Sequence, residues 1–493
     1  MFAANAAETE KKMIKDTKVL FVASEAMPFA STGGLADVIG SLPSALVKKG
    51  IDARVIIPYY SSIKKKNAEE ISFLFDCTVR LSWRNQYCGV YTAVQNGITF
   101  YFIDNEYYFN RASLYGSYDD GERYAFFCKA VLDILPKIDF FPNIIHTNDW
   151  QAALVGIYLK QIYRRIDYNY RPIKVVHSIH NIEYQGIFDH SILGDVFDLA
   201  PEYASIVDYN GLINLTKGAI VCCDRLTTVS PTYAKEIATP TYSAGLHHII
   251  NQYSFKTTGI INGIDEGYYS PNHDPDLYAT YTTPSGKLKN KLPLQKELGL
   301  PENPSVPMVA MITRLTSHKG LDLVTAVIDE FLNDDVQFVV LGTGDPGFEN
   351  FFVRLEEKYP TKVRAIIAYD KALSKKIYAA ADIFLMPSKS EPCGLAQMIA
   401  SKYGAVPLVR ETGGLFDTIK YYNDETEEGN GFTFKNYNAH DMLYTLRKAT
   451  GLYSDYKEKW TALTRKIMKI NFSWNVPARS YIALYKEILA LDK

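Results

Sequence analysis

Arg314 and Lys319 lie five residues apart in TRLTSHKG (313–320), directly after the apolar run PMVAMIT. Leaving the carboxyl end of a strand together, two such cations can neutralise a diphosphate, arginine through its bidentate fork and lysine as a point charge. PSKSEPCGL (387–395) places a carboxylate, Glu391, just ahead of a helix beginning near Gly394. A helix start presents free N–H groups to an anion; a carboxylate at that point instead suits sugar hydroxyls, or a reacting carbon that gains positive charge. HSIHNIEYQG (177–186) puts His180 where strand alternation gives way to a polar loop, and HTNDWQ (146–151) puts Asp149 and Trp150 in a similar setting. One motif occurs twice, TGGLADV (32–38) and TGGLFDT (412–418). Thr32 and Thr412 are expected to cap the helices that follow, and Gly33 and Gly34 to let the backbone approach a ligand. Asp37 and Asp417 are expected in the first helical turn, where the dipole favours negative charge. No lysine or arginine stands beside Gly33 and Gly34; their neighbours are Ser31 and Thr32. A single lysine, arginine or histidine is most often solvated or structural, and Gly-Gly before a helix is often only a tight turn. Placement at strand ends, and the repeat, favour a site.

The elements that must hold these residues are legible as apolar runs. KVLFVA (18–23), ARVIIP (53–58), ITFYFID (98–104), NIIHTND (143–149), KVVHSIH (174–180), RLTTVS (225–230) and TTGIIN (257–262) form one series. PMVAMIT (307–313), VQFVVLG (336–342), VRAIIAY (363–369), IFLMPS (383–388) and AVPLVR (405–410) form a second. Near-continuous apolar strands between helix-length patterns predict parallel sheets covered on both faces, hence two doubly wound α/β domains. Ligands of such sheets bind beyond the carboxyl ends of the strands, so the two glycine motifs are expected to face each other across a cleft. Residues 262–291, rich in Asn, Asp, Pro, Gly and Ser, read as the connection. Ile482, Leu484, Ile488, Leu489 and Leu491 recur at helical spacing near the end, predicting a final amphipathic helix.

The totals exclude several classes. With a net charge of −2, a basic nucleic-acid binder is not expected. The six cysteines form no C-x-x-C pair, which suits reduced thiols rather than a disulfide framework or a zinc site. No apolar stretch is long enough to span a bilayer, and the first 17 residues resemble neither a secretory signal nor an acid-poor transit peptide. A flexible tail, a cytoplasmic location and no membrane partner are the expectations. There is no P-loop, no G-x-G-x-x-G at the first strand, no H-E-x-x-H and no G-x-S-x-G elbow.

In combination the motifs are specific. SEAMPF…TGGLADV (24–38), LYGSYDDGERYAFF (114–127), HTNDWQAAL (146–154), HNIEYQG (180–186), TVSPTYAKEI (228–237), NGID (262–265), TRLTSHKGLDLV (313–324), LGTGDP (341–346), PSKSEPCGLAQM (387–398) and RETGGLFDT (410–418) occur in this order. The chain resembles bacterial glycogen synthases and plant starch synthases from Lys18 to about Lys486. The resemblance implies a GT-B architecture, with two Rossmann-like domains facing a deep cleft and a C-terminal helix returning to the N-terminal domain. The implied division is 1–17 flexible tail, 18–262 acceptor-side domain, 263–475 nucleotide-sugar-binding domain and 476–493 final helix. The implied reaction is transfer of glucose from ADP-glucose to the non-reducing end of an α-1,4-glucan with retention of configuration. No cofactor or metal is implied; ADP-glucose is a substrate, and the glucan is the partner. A closing two-domain clamp would keep water from taking the glucose.

Carried over by motif, Arg314 and Lys319 would neutralise the donor diphosphate and the departing ADP. Glu391 would bind glucose hydroxyls and support an oxocarbenium-like transition state, and His180 would hold the transferring glucose. Gly394, Leu395 and Thr412 would contact phosphates and sugar, Tyr369 would pack on the adenine, and Gly33 and Gly34 would bring backbone to the donor. Asp149, with Trp150, would line the acceptor side. One departure stands out: the family usually has lysine immediately before T-G-G-L, and here that position is Ser31. Losing one charge-assisted hydrogen bond costs about 1.5–3 kcal/mol, or roughly 10- to 150-fold. Ser31's hydroxyl, a lysine from elsewhere such as Lys217, or nothing replaces it. A milder departure is Asn148-Asp149-Trp150-Gln151, where histidines often flank Asp-Trp. The competing expectations are a related retaining glucosyltransferase using UDP-glucose, and a weakly active or non-catalytic glucan-binding paralogue, the latter motivated by Ser31.

Overall fold

The computed structural model describes residues 17–490 apart from Ala68 and Asp139. The expected flexible tail, but for Thr17, lies outside the described residues. The chain divides into two compact units: one runs to Gly263 and resumes at Trp474, the other is Ile264–Ser473.

The first unit is built on β1 (Lys18–Val22), β2 (Asp52–Pro58), β3 (Ser72–Leu81), β4 (Arg84–Gln95), β5 (Ile98–Asp104), β6 (Ile144–Asn148) and β7 (Lys174–Ile179). β8 (Ile187–Phe188), β9 (Asp208–Tyr209) and β10 (Leu212–Asn214) make a small separate sheet, and β11 (Arg225–Thr228) and β12 (Thr257–Gly259) complete the large one. Its order is β12-β11-β7-β6-β1-β2-β5-β4-β3. From β12 to β5 every pairing is parallel, and β4 and β3 add an antiparallel hairpin at the edge. The parallel strands wind outward both ways from β1, and the direction of winding reverses between β1 and β6. That reversal is the switch point at which open α/β sheets bind ligands. Val19, Leu20, Phe21, Val22, Ile144 and Ile145 are wholly buried, as a sheet covered on both faces requires.

The final helix, Asn475–Ala490, packs on the first unit against the helix Gly34–Val47. Ile482, Leu484 and Ile488 of the expected stripe are buried, and Leu491 lies outside the described residues. Tyr485 joins this helix to the sheet. Its hydroxyl meets His146 Nδ1 at 2.7 Å, and His146 Nε2 meets Ser178 Oγ at 2.6 Å. Burial holds His146 well below the ordinary histidine pKa, so it is neutral in this network.

The second unit carries β13 (Met308–Ile312), β14 (Gln337–Leu341), β15 (Val363–Ile366), β16 (Ile383–Met386), β17 (Val406–Arg410) and β18 (Phe432–Phe434). All pair in parallel in the order β15-β14-β13-β16-β17-β18, the order of a dinucleotide-binding Rossmann sheet. Its switch point lies between β13 and β16. The stretch read from composition as a connection, 262–291, is instead largely built into this unit. Asp274 is buried and pairs with Lys375 at 3.1 Å, Tyr281 donates to the Tyr403 carbonyl, and Lys291 pairs with Asp382 at 2.6 Å. Irregular backbone tied down by polar side chains shows no hydrophobic period, which is why it reads as a linker.

Candidate functional site

Each switch point holds a cluster of the candidate residues. In the second unit, the loop after β13 carries Arg314 and then the short turn Ser317–Lys319. Gly320 follows at φ 73°, and a Cβ there would sit 2.1 Å from the Pro387 carbonyl oxygen. The loops after β13 and β16 therefore touch through a residue with no side chain. Lys389 N–H donates to the His318 carbonyl at 2.8 Å, closing the same contact. The result is that Lys319 Nζ reaches both oxygens of Glu391, at 3.0 and 2.7 Å. Ser388 Oγ donates to Glu391 Oε2 at 2.9 Å. Glu391 is buried and fixed from two sides. Arg314 is exposed, and its guanidinium has no hydrogen-bond or ion-pair partner among the described residues.

Gly394, at φ 70°, and Leu395 precede the helix Ala396–Lys402. Their N–H groups donate to nothing among the described residues, so they are available to a ligand. Thr412 is fully buried at the start of the helix Gly413–Thr418, where its carbonyl accepts from Leu415 and Phe416. Tyr369, in the loop after β15, is 76% exposed. Asp417 is the fifth residue of its six-residue helix and not in the first turn, because that helix begins at Gly413 and stops at Thr418.

The two copies of T-G-G-L have opposite surroundings. At Gly413, φ is 44° and a Cβ would lie 2.0 Å from the Glu391 carbonyl oxygen; at Gly414 it would lie 2.1 Å from that of Cys393. Gly414 N–H donates to the Glu391 carbonyl at 3.1 Å. Those glycines weld one loop to the other and so help hold Glu391. Around Gly33 and Gly34 a Cβ would meet nothing within 4 Å. Their N–H groups, like the Ser31 hydroxyl, have no partner among the described residues. Gly33, not Thr32, occupies the N-cap of Gly34–Val47. Thr32 is turned back instead: its N–H and hydroxyl both donate to Glu25 Oε2, at 2.6 and 2.8 Å. Burial raises Glu25 to about 7 against those hydrogen bonds. Lys217 does not stand free to replace the missing cation, since its ammonium donates to the Ser205 carbonyl.

Across the first unit's switch point, Asp149 follows β6 with φ 53°, a left-handed conformation uncommon outside glycine. Its Oδ1 accepts from His180 N–H at 2.7 Å, linking the ends of β6 and β7. Asn148 fixes the His180 ring. The Asn148 amide donates to the Val22 and His146 carbonyls, which leaves Oδ1 facing His180 Nε2 at 2.9 Å. Nε2 therefore carries the proton, and Nδ1 presents a lone pair. Burial lowers His180 to about 4, so the ring is neutral at pH 7. Trp150 is packed edge-on against Tyr124 and Phe188, and its ring fills the space that a side chain at Gly186 would occupy. His177 is buried behind Thr147, at 2.8 Å, and is part of the core.

Burial raises Asp149 to about 7, against its backbone hydrogen bonds. A carboxyl raised in the folded state keeps a proton that the unfolded chain gives up above pH 4 or so. Stability is lost between about pH 4 and 7, and the cost is then constant. Asp149→Asn removes that cost. The variant is expected to gain about 2–4 kcal/mol at pH 8 and nothing at pH 4. Urea unfolding followed by tryptophan fluorescence checks this, since Trp83, Trp150 and Trp474 all lie in the first unit.

Glu25, Ser388 and Asn148 are absent from the sequence-derived set. Glu25 and Asn148 stand inside quoted motifs, and Ser388 is three residues before Glu391, but their contacts exist only once loops from separate strands meet. Among the described residues, no group of three His, Cys, Asp or Glu is placed to hold a metal ion, and no helix is long and apolar enough to cross a membrane.

Comparison with known proteins agrees with this frame. Residues 18–252 match the model of the starch synthase catalytic domain, and residues 294–466 that of glycosyl transferases group 1. The glycogen synthase of Anoxybacillus flavithermus is 48% identical over 96% of this chain and 98% of its own. That of Geobacillus thermodenitrificans is 48% identical over 97% and 99%. The catalytic domain of starch synthase IV from Arabidopsis thaliana, solved bound to ADP and acarbose, superposes with a TM-score of 0.89 at 35% identity, covering 96% of this chain and 99% of that one. A sucrose-phosphate synthase from Thermosynechococcus elongatus shares the fold at a TM-score of 0.61 and 16% identity, over 96% and 100%. Two Rossmann-like units with polar clusters at both switch points make this a glycosyltransferase of the GT-B class. Within that class the chain belongs to the family of glycogen and starch synthases.

Proposed function

We propose that the protein transfers glucose from ADP-glucose to the non-reducing end of an α-1,4-glucan, with retention of configuration. The observation that carries this reading is Glu391, held by Lys319 and Ser388 at the second unit's switch point beside the unpaired Arg314. The donor's diphosphate would take Arg314 and Lys319, with the free N–H groups of Gly394 and Leu395 and the buried Thr412 alongside. Two cations there stabilise the charge of the departing ADP. As the diphosphate draws Lys319 away, the negative charge of the Glu391 carboxylate is left unpaired to act on the anomeric carbon, where positive charge develops. The exposed Tyr369 ring is available to stack on the adenine. In the first unit, neutral His180 would accept a sugar hydroxyl at Nδ1. The bare backbone of Gly33 and Gly34 would donate to the nucleotide sugar, and Asp149, with Trp150 behind it, would line the acceptor side. No step requires a metal or an organic cofactor.

Incorporation of labelled glucose from ADP-glucose into glycogen tests this, with UDP-glucose run beside it. Label is expected in the polymer, with ADP-glucose the better donor. Equal or better use of UDP-glucose would overturn the donor assignment. Ser31→Lys is expected to raise kcat/KM by up to about tenfold, because the Ser31 position is partly exposed and its side chain is unengaged. No transfer by the parent with recovery in Ser31→Lys would favour the glucan-binding paralogue, a reading motivated by that unengaged serine.

A further inference from the structure

Gln397, inside PSKSEPCGLAQM, is wholly buried and has no part in the reaction as derived so far. It is the second residue of the helix Ala396–Lys402. Its Nε2 donates to the carbonyls of Cys393 at 3.1 Å and Gly394 at 2.9 Å, and to Thr418 Oγ1 at 3.1 Å. The orientation of the amide is forced. Backbone carbonyls only accept, and the Thr418 hydroxyl donates its own proton to the Gly414 carbonyl at 2.6 Å. All three partners therefore require the nitrogen, and Oε1 faces away from them. There it has no partner among the described residues. A buried amide oxygen left unpaired costs stability. Methionine has nearly the same length and no such oxygen, so the fold alone does not call for glutamine here.

What the amide does for its loop follows from the geometry of the peptide bond. In a trans peptide the C=O and N–H point in opposite directions. The Cys393 carbonyl shares a plane with the Gly394 N–H, and the Gly394 carbonyl shares one with the Leu395 N–H; neither linkage is cis. By holding both carbonyls toward itself, Gln397 turns both N–H groups the other way. Those are the two N–H groups that donate to nothing among the described residues. The backbone angles agree. Gly394 is left-handed, at φ 70°, and Leu395 is right-handed, at φ −110° and ψ −27°. That alternation gathers successive N–H groups into a concave anion-binding nest. Gly394 is also seated at its α-carbon: a Cβ there would lie 2.6 Å from Gln397 Oε1 and 3.1 Å from Glu391 Cγ. No backbone N–H among the described residues donates to the Gly394 carbonyl, so the Gln397 amide is what keeps that plane from turning over.

The same side chain joins the nest to its surroundings. Thr418 is the last residue of the helix Gly413–Thr418 and closes the motif TGGLFDT. At the other end of that helix, Gly414 N–H donates to the Glu391 carbonyl at 3.1 Å. One amide thus connects the two free N–H groups, the second glycine motif and, through it, the backbone of Glu391.

We propose that Gln397 is a positioning residue of the donor site: its amide sets the Cys393–Gly394–Leu395 backbone so that two adjacent N–H groups meet the diphosphate of the nucleotide sugar. The inference rests on the ADP-glucose reading for that diphosphate. Gln397 itself touches no substrate. Its effect passes through two peptide planes and is felt only by a ligand that carries phosphate. Without the tether the Gly394–Leu395 plane is free to turn and present its carbonyl oxygen to an anion that needs a donor.

The test compares the parent with Gln397→Met by ligand-observed NMR titration with ADP and with adenosine, and by steady-state transfer from ADP-glucose. The variant is expected to bind ADP at least about tenfold more weakly, to show a KM for ADP-glucose raised by a similar factor, and to bind adenosine as the parent does. A purely structural role would weaken both ligands together. Undiminished ADP binding in the variant, or an equal loss for ADP and adenosine, overturns the assignment. A parent that binds adenosine as tightly as ADP overturns instead the diphosphate reading on which it rests. Should Gln397→Met fold poorly, Gln397→Glu decides, because it keeps the shape with at most one hydrogen to donate. The same selective loss of ADP is expected there, and parental ADP binding rejects the assignment.

Discussion

Glu391→Gln is expected to lower kcat by about 10²- to 10³-fold while leaving the donor KM unchanged or lower. The size is that of removing one preorganised electrostatic group from a developing charge. The direction of KM follows from the hydrogen bonds. In the resting protein Lys319 is engaged by both Glu391 oxygens, so a diphosphate must compete with the carboxylate for it. Glutamine keeps the shape and the partner for Ser388 but gives up the charge, and Lys319 is then released to the donor. A fall in kcat without a rise in KM separates loss of transition-state stabilisation from a collapsed site, which raises KM as well. Steady-state kinetics with ADP-glucose measure both. A variant with parental kcat would remove Glu391 from the chemistry.

The second large effect contrasts two identical tetrapeptides. Gly414→Ala is expected to destabilise the second unit by about 1–3 kcal/mol and to lower kcat by about 10²-fold. The added methyl would stand 2.1 Å from a backbone oxygen of Cys393, two residues from Glu391, and backbone cannot swing aside as a side chain can. Gly34→Ala adds the same methyl to open space at the start of a helix. Its unfolding is expected within about 0.5 kcal/mol of the parent's. Any activity it loses then reports on an approaching ligand, because no protein atom is disturbed. Thermal melts and donor titrations of the pair measure both halves. Equal melting temperatures for the two variants would contradict the close packing at Gly414.

Each of the twelve apolar runs contains a strand that pairs in parallel, and the central ones are legible because a strand buried on both faces has to be apolar throughout; the edge strands β12 and β15 are only partly buried. The hairpin β3–β4 was not legible by that signal. It is an edge pair with one face in water, so Phe73, Leu74 and Tyr87 stand exposed in the same two strands that bury Val79, Leu81 and Cys88. β18 is only three residues long and offers no pattern. At the site, the strand-end positions of Arg314, Lys319, Glu391, Asp149 and His180 follow from the runs before them. What their neighbours do does not. Thr32 has the side chain of a cap yet serves Glu25, a carboxylate seven residues back that a tight loop brings within hydrogen-bonding distance. Likewise T-G-G-L predicts glycine for ligand approach at both ends, but whether a glycine faces solvent or another loop depends on strands far apart in sequence.

The return of the last helix to the first unit also has a consequence for how the protein is made. The first unit is chemically complete only when residues 474–490 arrive, yet about 210 residues of the second unit are synthesised in between. At about 5–20 residues per second that is roughly 10–40 s during which the nascent sheet exists without the helix that covers it. Over that interval His146 lacks the Tyr485 hydroxyl, and the surface taken by Tyr481, Leu484 and Ile488 is open to water or to a chaperone. The second unit, continuous in the chain, is the one that can finish folding first on the ribosome.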